Sequence, residues 1–184
     1  MNRVLAAATA ALLALAGAAR ADHHLGDVKE GPACKYCGMD RARFASSRMV
    51  IEYDDGSRLA ACSLHCAAVD LANQIDRTPA AIRVADMGTQ ALVDAEKAVW
   101  VLGGSKPGVM TRRAKWAFAE KAAAEAFVKE LGGTIVSFED AVKAAYEDMY
   151  QDSRMIREKR RAMKARQPAA APDTAAEKPA GPTR

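Results

Sequence analysis

From Arg48 onward the chain alternates short apolar runs with polar turn clusters. Met49-Val50-Ile51-Glu52-Tyr53 and Arg58-Leu59-Ala60-Ala61-Cys62 are joined by Asp54-Asp55-Gly56-Ser57, and Asp-Gly between two such runs predicts a hairpin. Ser63 is placed to cap a helix through Asn73, with Leu64, Ala67, Ala68 and Leu71 on one side, and residues 82–85 offer a short strand. The second half repeats that order: a strand at 98–102, a glycine loop at 103–108, a strand at 114–118, a helix at 121–131, Gly132-Gly133, and a strand at 134–138. Gly132 sits where a helix end favours a left-handed residue. The pattern predicts an α+β fold of two small related strand–strand–helix–strand units, at 31–90 and 91–140.

Beyond Phe138 the spacing turns helical through about residue 165, with Val142, Tyr146, Met149, Ile156 and Met163 on one narrow stripe. The first part of this helix is expected to pack on the domain. Its end, Arg157-Glu158-Lys159-Arg160-Arg161 and on to Arg166, reads as a solvated basic face, making 141–166 a basic amphipathic helix. Residues 167–184, rich in Ala and Pro, are expected to be disordered.

Composition changes the picture at both ends. Residues 1–21 carry a basic start, an apolar stretch from Val4 to Ala19 and then Ala19-Arg20-Ala21, which reads as a signal peptide cleaved before Asp22. No cysteine lies at the cleavage site, so a soluble periplasmic product is expected, with a flexible start at 22–30. No apolar run long enough to cross a membrane follows. Formal charge is +4, but the leader holds two arginines and residues 154–184 hold nine basic against three acidic residues, so the 132 residues between them carry −4. An acidic core argues against a nucleic-acid partner. Half of the chain is hydrophobic, yet only 5% is aromatic and the mean hydropathy is −0.18, so the core is expected to be modest and alanine-rich.

The chemistry concentrates in one 33-residue window: Cys34-x2-Cys37, 24 residues, then Cys62-x3-Cys66, with Met39 and His65 interleaved. Gly38 supplies permissive backbone after Cys37, and Cys62 and Cys66 share a face if the helix starts early enough. Three readings stand open. An even cysteine count in an exported protein suits a disulfide framework. Two such pairs also suit a closed structural zinc site of treble-clef type. Thiolate with thioether suits Cu(I), and Cys37-Gly38-Met39 offers both within three residues. After cleavage, Asp22-His23-His24 would add an amine, two amide nitrogens and the His24 imidazole as a square-planar Cu(II) set.

The combination of Cys34, Cys37-Gly38-Met39, the Asp-Gly hairpin, Cys62-Ser63-x-x-Cys66, Val109-Met110, residues 114–118 and the helix ending at Gly132-Gly133 resembles the NosL family, accessory proteins of nitrous-oxide reductase. The similarity covers about residues 31–140. It implies a periplasmic copper-binding protein of two related α+β units. It further implies supply of Cu(I) to a maturing cuproenzyme, the copper-sulfide centre of nitrous-oxide reductase, and contact with a membrane copper-transport or maturation complex. Carried over by residue, it puts the metal thiolate at Cys37 and a thioether at Met39, with Cys34, Cys62, Cys66 and His65 as supporting candidates. Many members are lipoproteins, whereas this leader lacks the lipid-modified cysteine.

An enzyme is not expected. No Ser/His/Asp arrangement, phosphate-binding glycine loop or paired-carboxylate motif is present, and His65 is the sole histidine after Asp22-His23-His24. Cys34-x-x-Cys37 follows Gly31-Pro32-Ala33 in a loop, unlike a thiol-disulfide exchange site opening a long helix. Met110 could reach the first unit's site across the repeat but reads first as filling a core gap, and Met49, Met87, Met149, Met155 and Met163 read as packing or tail residues.

Overall fold

The computed structural model describes residues 25–166, so the expectations for the leader, for His24 and for the tail after Arg166 lie outside the described residues. Helix α1 (Gly26–Glu30) and a 3₁₀ turn (Ala45–Ser47) precede hairpin strands β1 (Met49–Tyr53) and β2 (Arg58–Ala61), helix α2 (Leu64–Asn73), and strands β3 (Pro79–Ala85) and β4 (Leu92–Asp94). Then follow β5 (Val99–Leu102), β6 (Lys115–Phe118), α3 (Lys121–Leu131), β7 (Thr134–Val136) and the 29-residue α4 (Phe138–Arg166).

Two antiparallel sheets result, ordered β2-β1-β3-β4 and β6-β5-β7. In each unit the first strand is central, flanked by the second and third, so the repeated order in the sequence is a repeated topology. The β1–β2 turn closes as its chemistry requires. Gly56 takes φ +80, Asp55 Oδ1 accepts from Ser57 N at 2.8 Å, and the register pairs Ile51 with Leu59 and Glu52 with Arg58.

Strand alternation sets the core. Along β5, Trp100 faces the first unit and packs on Phe138 (ring centroids 5.9 Å apart), while Val101 faces Trp116, Phe118 and Phe127 on the other side. The units are stitched where β3 ends. Met87 N donates to Ala117 O at 2.8 Å, and Asp86 Oδ2 accepts from Ala119 N at 2.9 Å.

Five expectations are corrected. Residues 26–30 form a helix rather than a flexible start, because Asp27 is buried between Arg41 and Arg48 (2.6 and 3.0 Å), both with no exposed surface. The first sheet runs past residue 90, since β4 pairs with β3 through Ala85 and Leu92. Ser63 occupies the cap position of α2, but its hydroxyl makes no capping bond. The last strand stops at Val136. Ser137 Oγ then accepts from Asp140 N at 3.1 Å, starting α4 at Phe138. Finally, the residues α4 buries most deeply include Ala141, Ala144 and Ala145, because alanines let the helix lie close on α2 and β5; of the expected stripe, Val142 and Met149 pack half-buried on the core while Tyr146 and Met163 are exposed. Among the described residues no helix is long and apolar enough to cross a membrane.

Candidate metal centre

The site is assembled from three local structures. Residues 33–40 form a knuckle: Ala33 and Asp40 pair as a bridge, Cys34 N donates to Met39 O, and Gly38 N donates to Cys34 O, both at 2.9 Å. Gly38 holds φ +73, a conformation a side chain would strain. The knuckle is docked on β2 by Lys35 N donating to Ala60 O at 3.1 Å, which sets it beside Cys62 at the strand's end. The start of α2 supplies Cys66.

These elements bring four thiols together. The sulfurs of Cys34, Cys37, Cys62 and Cys66 all lie within 4.8 Å of one another, with Cys37–Cys62 at 3.5 Å and Cys62–Cys66 at 3.8 Å. All four cysteines are free, so the disulfide framework is not the arrangement found. A tetrahedral thiolate ion with bonds of about 2.3 Å needs sulfurs about 3.8 Å apart, and a three-coordinate one about 4 Å. The cluster is therefore near binding geometry with little rearrangement. Cys34, Cys62 and Cys66 are buried, whereas Cys37 is half-buried and opens outward.

Proximity also shapes the thiol acidities. Cys34 is held far below the usual thiol range because Cys37, Cys62 and Cys66 donate S–H bonds to it. Cys37 is lowered to about 7. Donation to Cys34 raises it, and bonds received from Cys62 and Cys66 outweigh that. Cys62 is pushed up by donating to Cys34 and Cys37, against a bond received from Cys66, and Cys66 by donating to Cys34, Cys37 and Cys62, with burial adding to both. The cluster thus favours a thiolate at neutral pH and resists losing all its protons until a cation enters.

A hydrogen-bond network around Asp70 locks the knuckle to α2. Asp70, on the face of α2 with no exposed surface, accepts from Tyr36 OH (2.7 Å), Tyr53 OH (2.6 Å) and Lys35 Nζ (3.1 Å). Burial opposes its charge, but the donations from Tyr36, Tyr53 and Lys35 hold it below the usual carboxylate range. Sequence reasoning missed this residue. The available signal was an acid among Ala67, Ala68 and Leu71 on the apolar side of a helix.

His65 is buried beside Cys66 but is not one of the four converging ligands. Its Nδ1 faces Asp152 Oδ2 of α4 at 3.6 Å, too long for a good hydrogen bond, while Asp152 Oδ1 accepts from Arg112 N at 3.0 Å. Burial pushes its pKa down, against the attraction of Asp152, so it stays neutral. His65 shares an opening of about 290 Å³ with Cys37, Cys66 and Met110. The side chain of Met39 lines a second groove beside Cys37.

A knuckle, a hairpin and a helix start converging on four free thiols, on a duplicated α+β scaffold, define a small α+β domain whose thiol cluster could hold a metal ion. The NosL family model matches residues 25–147, and the chain belongs to that family. The crystal structure of the copper chaperone NosL from Shewanella denitrificans superposes with a TM-score of 0.50 at 23% identity, over 58% of this chain and 87% of that one, a likeness of fold. No curated protein matches significantly.

Proposed function

We propose that this protein is a Cu(I)-binding chaperone that holds copper at the thiol cluster and passes it to a maturing cuproenzyme, acting as a carrier and not as a catalyst. The observation that carries this reading is the convergence of four free thiols with one of them, Cys37, half exposed on a groove shared with Met39. Soft sulfur ligands select Cu(I), and an accessible ligand lets a partner displace the protein's grip. Family membership supports the same reading, as does the likeness to the Shewanella denitrificans protein, itself a copper chaperone. In its finer form, Cys37 and Met39 are the primary ligands, supported by Cys34, Cys62, Cys66 and His65. The client is apo nitrous-oxide reductase, the copper source is a membrane transport or maturation complex, and the working place is the periplasm after cleavage before Asp22.

One observation favours a second reading. Sulfur separations of 3.5 and 3.8 Å, with three of the four thiols buried, also suit a closed zinc site that stabilises the knuckle without metal transfer. A titration of reduced protein with Cu(I) under a competing chelator separates the two. Tight binding lost in Cys37→Ser, with zinc displaced by copper, supports the chaperone. Wild-type affinity in Cys37→Ser, or zinc that copper cannot displace, refutes it.

A further inference from the structure

Four of the chain's eight methionines, Met39, Met110, Met155 and Met163, line one groove of about 420 Å³ that reaches Cys37. One wall is the knuckle with the loop through Val109 and Thr111, and the other is α4. The α4 wall lies beyond residue 147, where the family match ends, so Met155 and Met163 come from a part of the chain outside it.

These side chains differ from an enclosed core methionine, although Met39 and Met110 also pack against the core. Met49, a core methionine, is fully buried, whereas Met163 is 65% exposed and Met39, Met110 and Met155 are half-buried. Met110 is held at φ +62, a left-handed conformation that costs a side chain of its size and persists only where surroundings enforce it. Met155 and Met163 are two turns apart, roughly 12 Å along the helix, too far for both to grip one ion. Met163 stands in solvent, whereas Met155, Met39 and Cys37 along the same groove are half-buried.

We propose that these thioethers form a lane along which Cu(I) reaches and leaves Cys37, a reading that rests on the copper-binding function above. Thioethers are soft, uncharged donors that need no deprotonation to bind, so they hold Cu(I) weakly enough to release it. Each step is ligand exchange. A Met Sδ–Cu bond forms as the previous donor's bond breaks, copper stays Cu(I), and no electron moves. At the end of the lane the thiolate of Cys37 takes the ion, and any remaining S–H proton passes to water. Lys159 and Arg160 stand on the rim, with Arg160 Nη2 donating to Cys37 O at 3.3 Å. These cations repel a bare cation, so the lane suits Cu(I) presented in an anionic complex, such as one held by two donor thiolates.

The test uses the full chain labelled at its methionine methyl carbons and supplied anaerobically with Cu(I) as its anionic bis-bicinchoninate complex. Beyond the first equivalent, the methyl signals of Met155 and Met163 should shift while those of Met49 and Met87 stay in place. In Met155→Leu/Met163→Leu, which keeps the apolar volume, Cu(I) uptake should slow about tenfold, equivalent to about 1.4 kcal/mol of barrier. Equilibrium affinity at the thiols should stay within about twofold, a change too small to register as a lost ligand. Unshifted Met155 and Met163 methyls, or an uptake rate matching the wild type, overturn the lane while leaving the copper site standing. No Cu(I) at the thiols of the wild type overturns the copper reading itself and the lane with it.

Discussion

Replacing Asp70 by Ala should be among the most damaging single changes near the metal centre, and its cost can be worked from the bonds it makes. The carboxylate accepts from two tyrosine hydroxyls and one ammonium, at 2.6, 2.7 and 3.1 Å. Lys35 is 53% exposed and re-solvates when released, so its bond contributes little. Tyr36 and Tyr53 cannot escape so easily, because both hydroxyls are packed against the buried carboxylate. Hydrogen bonds to a charged group contribute about 1.5–3 kcal/mol each, so losing both should cost about 3–5 kcal/mol. For a domain of this size that is a fall in Tm of roughly 10–15 °C. A double-mutant cycle isolates the pair. Tyr53→Phe alone should cost about 2 kcal/mol, yet close to nothing in the Asp70→Ala background, giving a coupling of about 2 kcal/mol. Urea unfolding of the reduced apo-protein measures all four corners. A coupling under about 0.5 kcal/mol would mean the network carries no such energy.

Asp148→Ala should loosen α4, because Asp148 pairs at 2.8 Å with both Arg113 and the buried Lys115, and stranding Lys115 should cost about 3 kcal/mol, seen as faster amide exchange along α4. Burial works against the charge of Asp148, but Arg113 and Lys115 hold it below the usual carboxylate range, so its contribution is full above the unfolded pKa and lost as pH falls through the folded one. Acid should therefore release α4 in the wild type and have little further effect on exchange in Asp148→Ala. Gly104 (φ +88) leaves no room for a side chain, since a Cβ would lie 2.7 Å from Gly132 O, whereas Gly103 (φ +82) faces open space. Gly104→Ala should cost about 3 kcal/mol and Gly103→Ala about 1, and equal urea midpoints would contradict the packing argument. Cu(I) affinity should weaken as pH drops through about 7, where Cys37 takes up its proton, with proton release on binding above that pH reduced; a flat affinity between pH 8 and 5 would exclude Cys37 as a thiolate ligand.

Much of the architecture is written locally in the chain. The Asp-Gly hairpin, the helix ending at Gly132 and the repeated strand–strand–helix–strand order rest on near-neighbour chemistry, and each element formed close to its expected bounds. The four cysteines were visible as two spaced pairs, and folding turned that spacing into one cluster. What stayed hidden depends on partners far apart in sequence. Asp27 is fixed by Arg41 and Arg48, Asp70 reaches Tyr36 across 34 residues, and Arg160 reaches Cys37 across 123. No periodicity reports such pairs. Helical spacing also left open what the methionines of α4 face, because it says which residues share a face but not whether core or groove lies opposite; Met149 packs on the core, while Met155 and Met163 line the groove.

The two units share a topology yet divide the work. Every cysteine lies in or just ahead of the first unit, so the second supplies no thiol. It supplies instead the platform that brings α4 back to the site. Arg113 and Lys115 at the start of β6 grip Asp148, and Arg112 N binds Asp152 one turn further along. That double hold fixes the helix just before Met155, Ile156 and Arg160, the residues that face Cys37 across the groove. A rigid anchor followed by an exposed, highly basic end gives one helix two mechanical roles. Its first half is held against the core, while its second half lies largely exposed beside the thiols. The second unit thus bears on the thiol site in two ways, directly through Met110 beside Cys37 and Cys66, and by setting where the α4 wall of the groove stands.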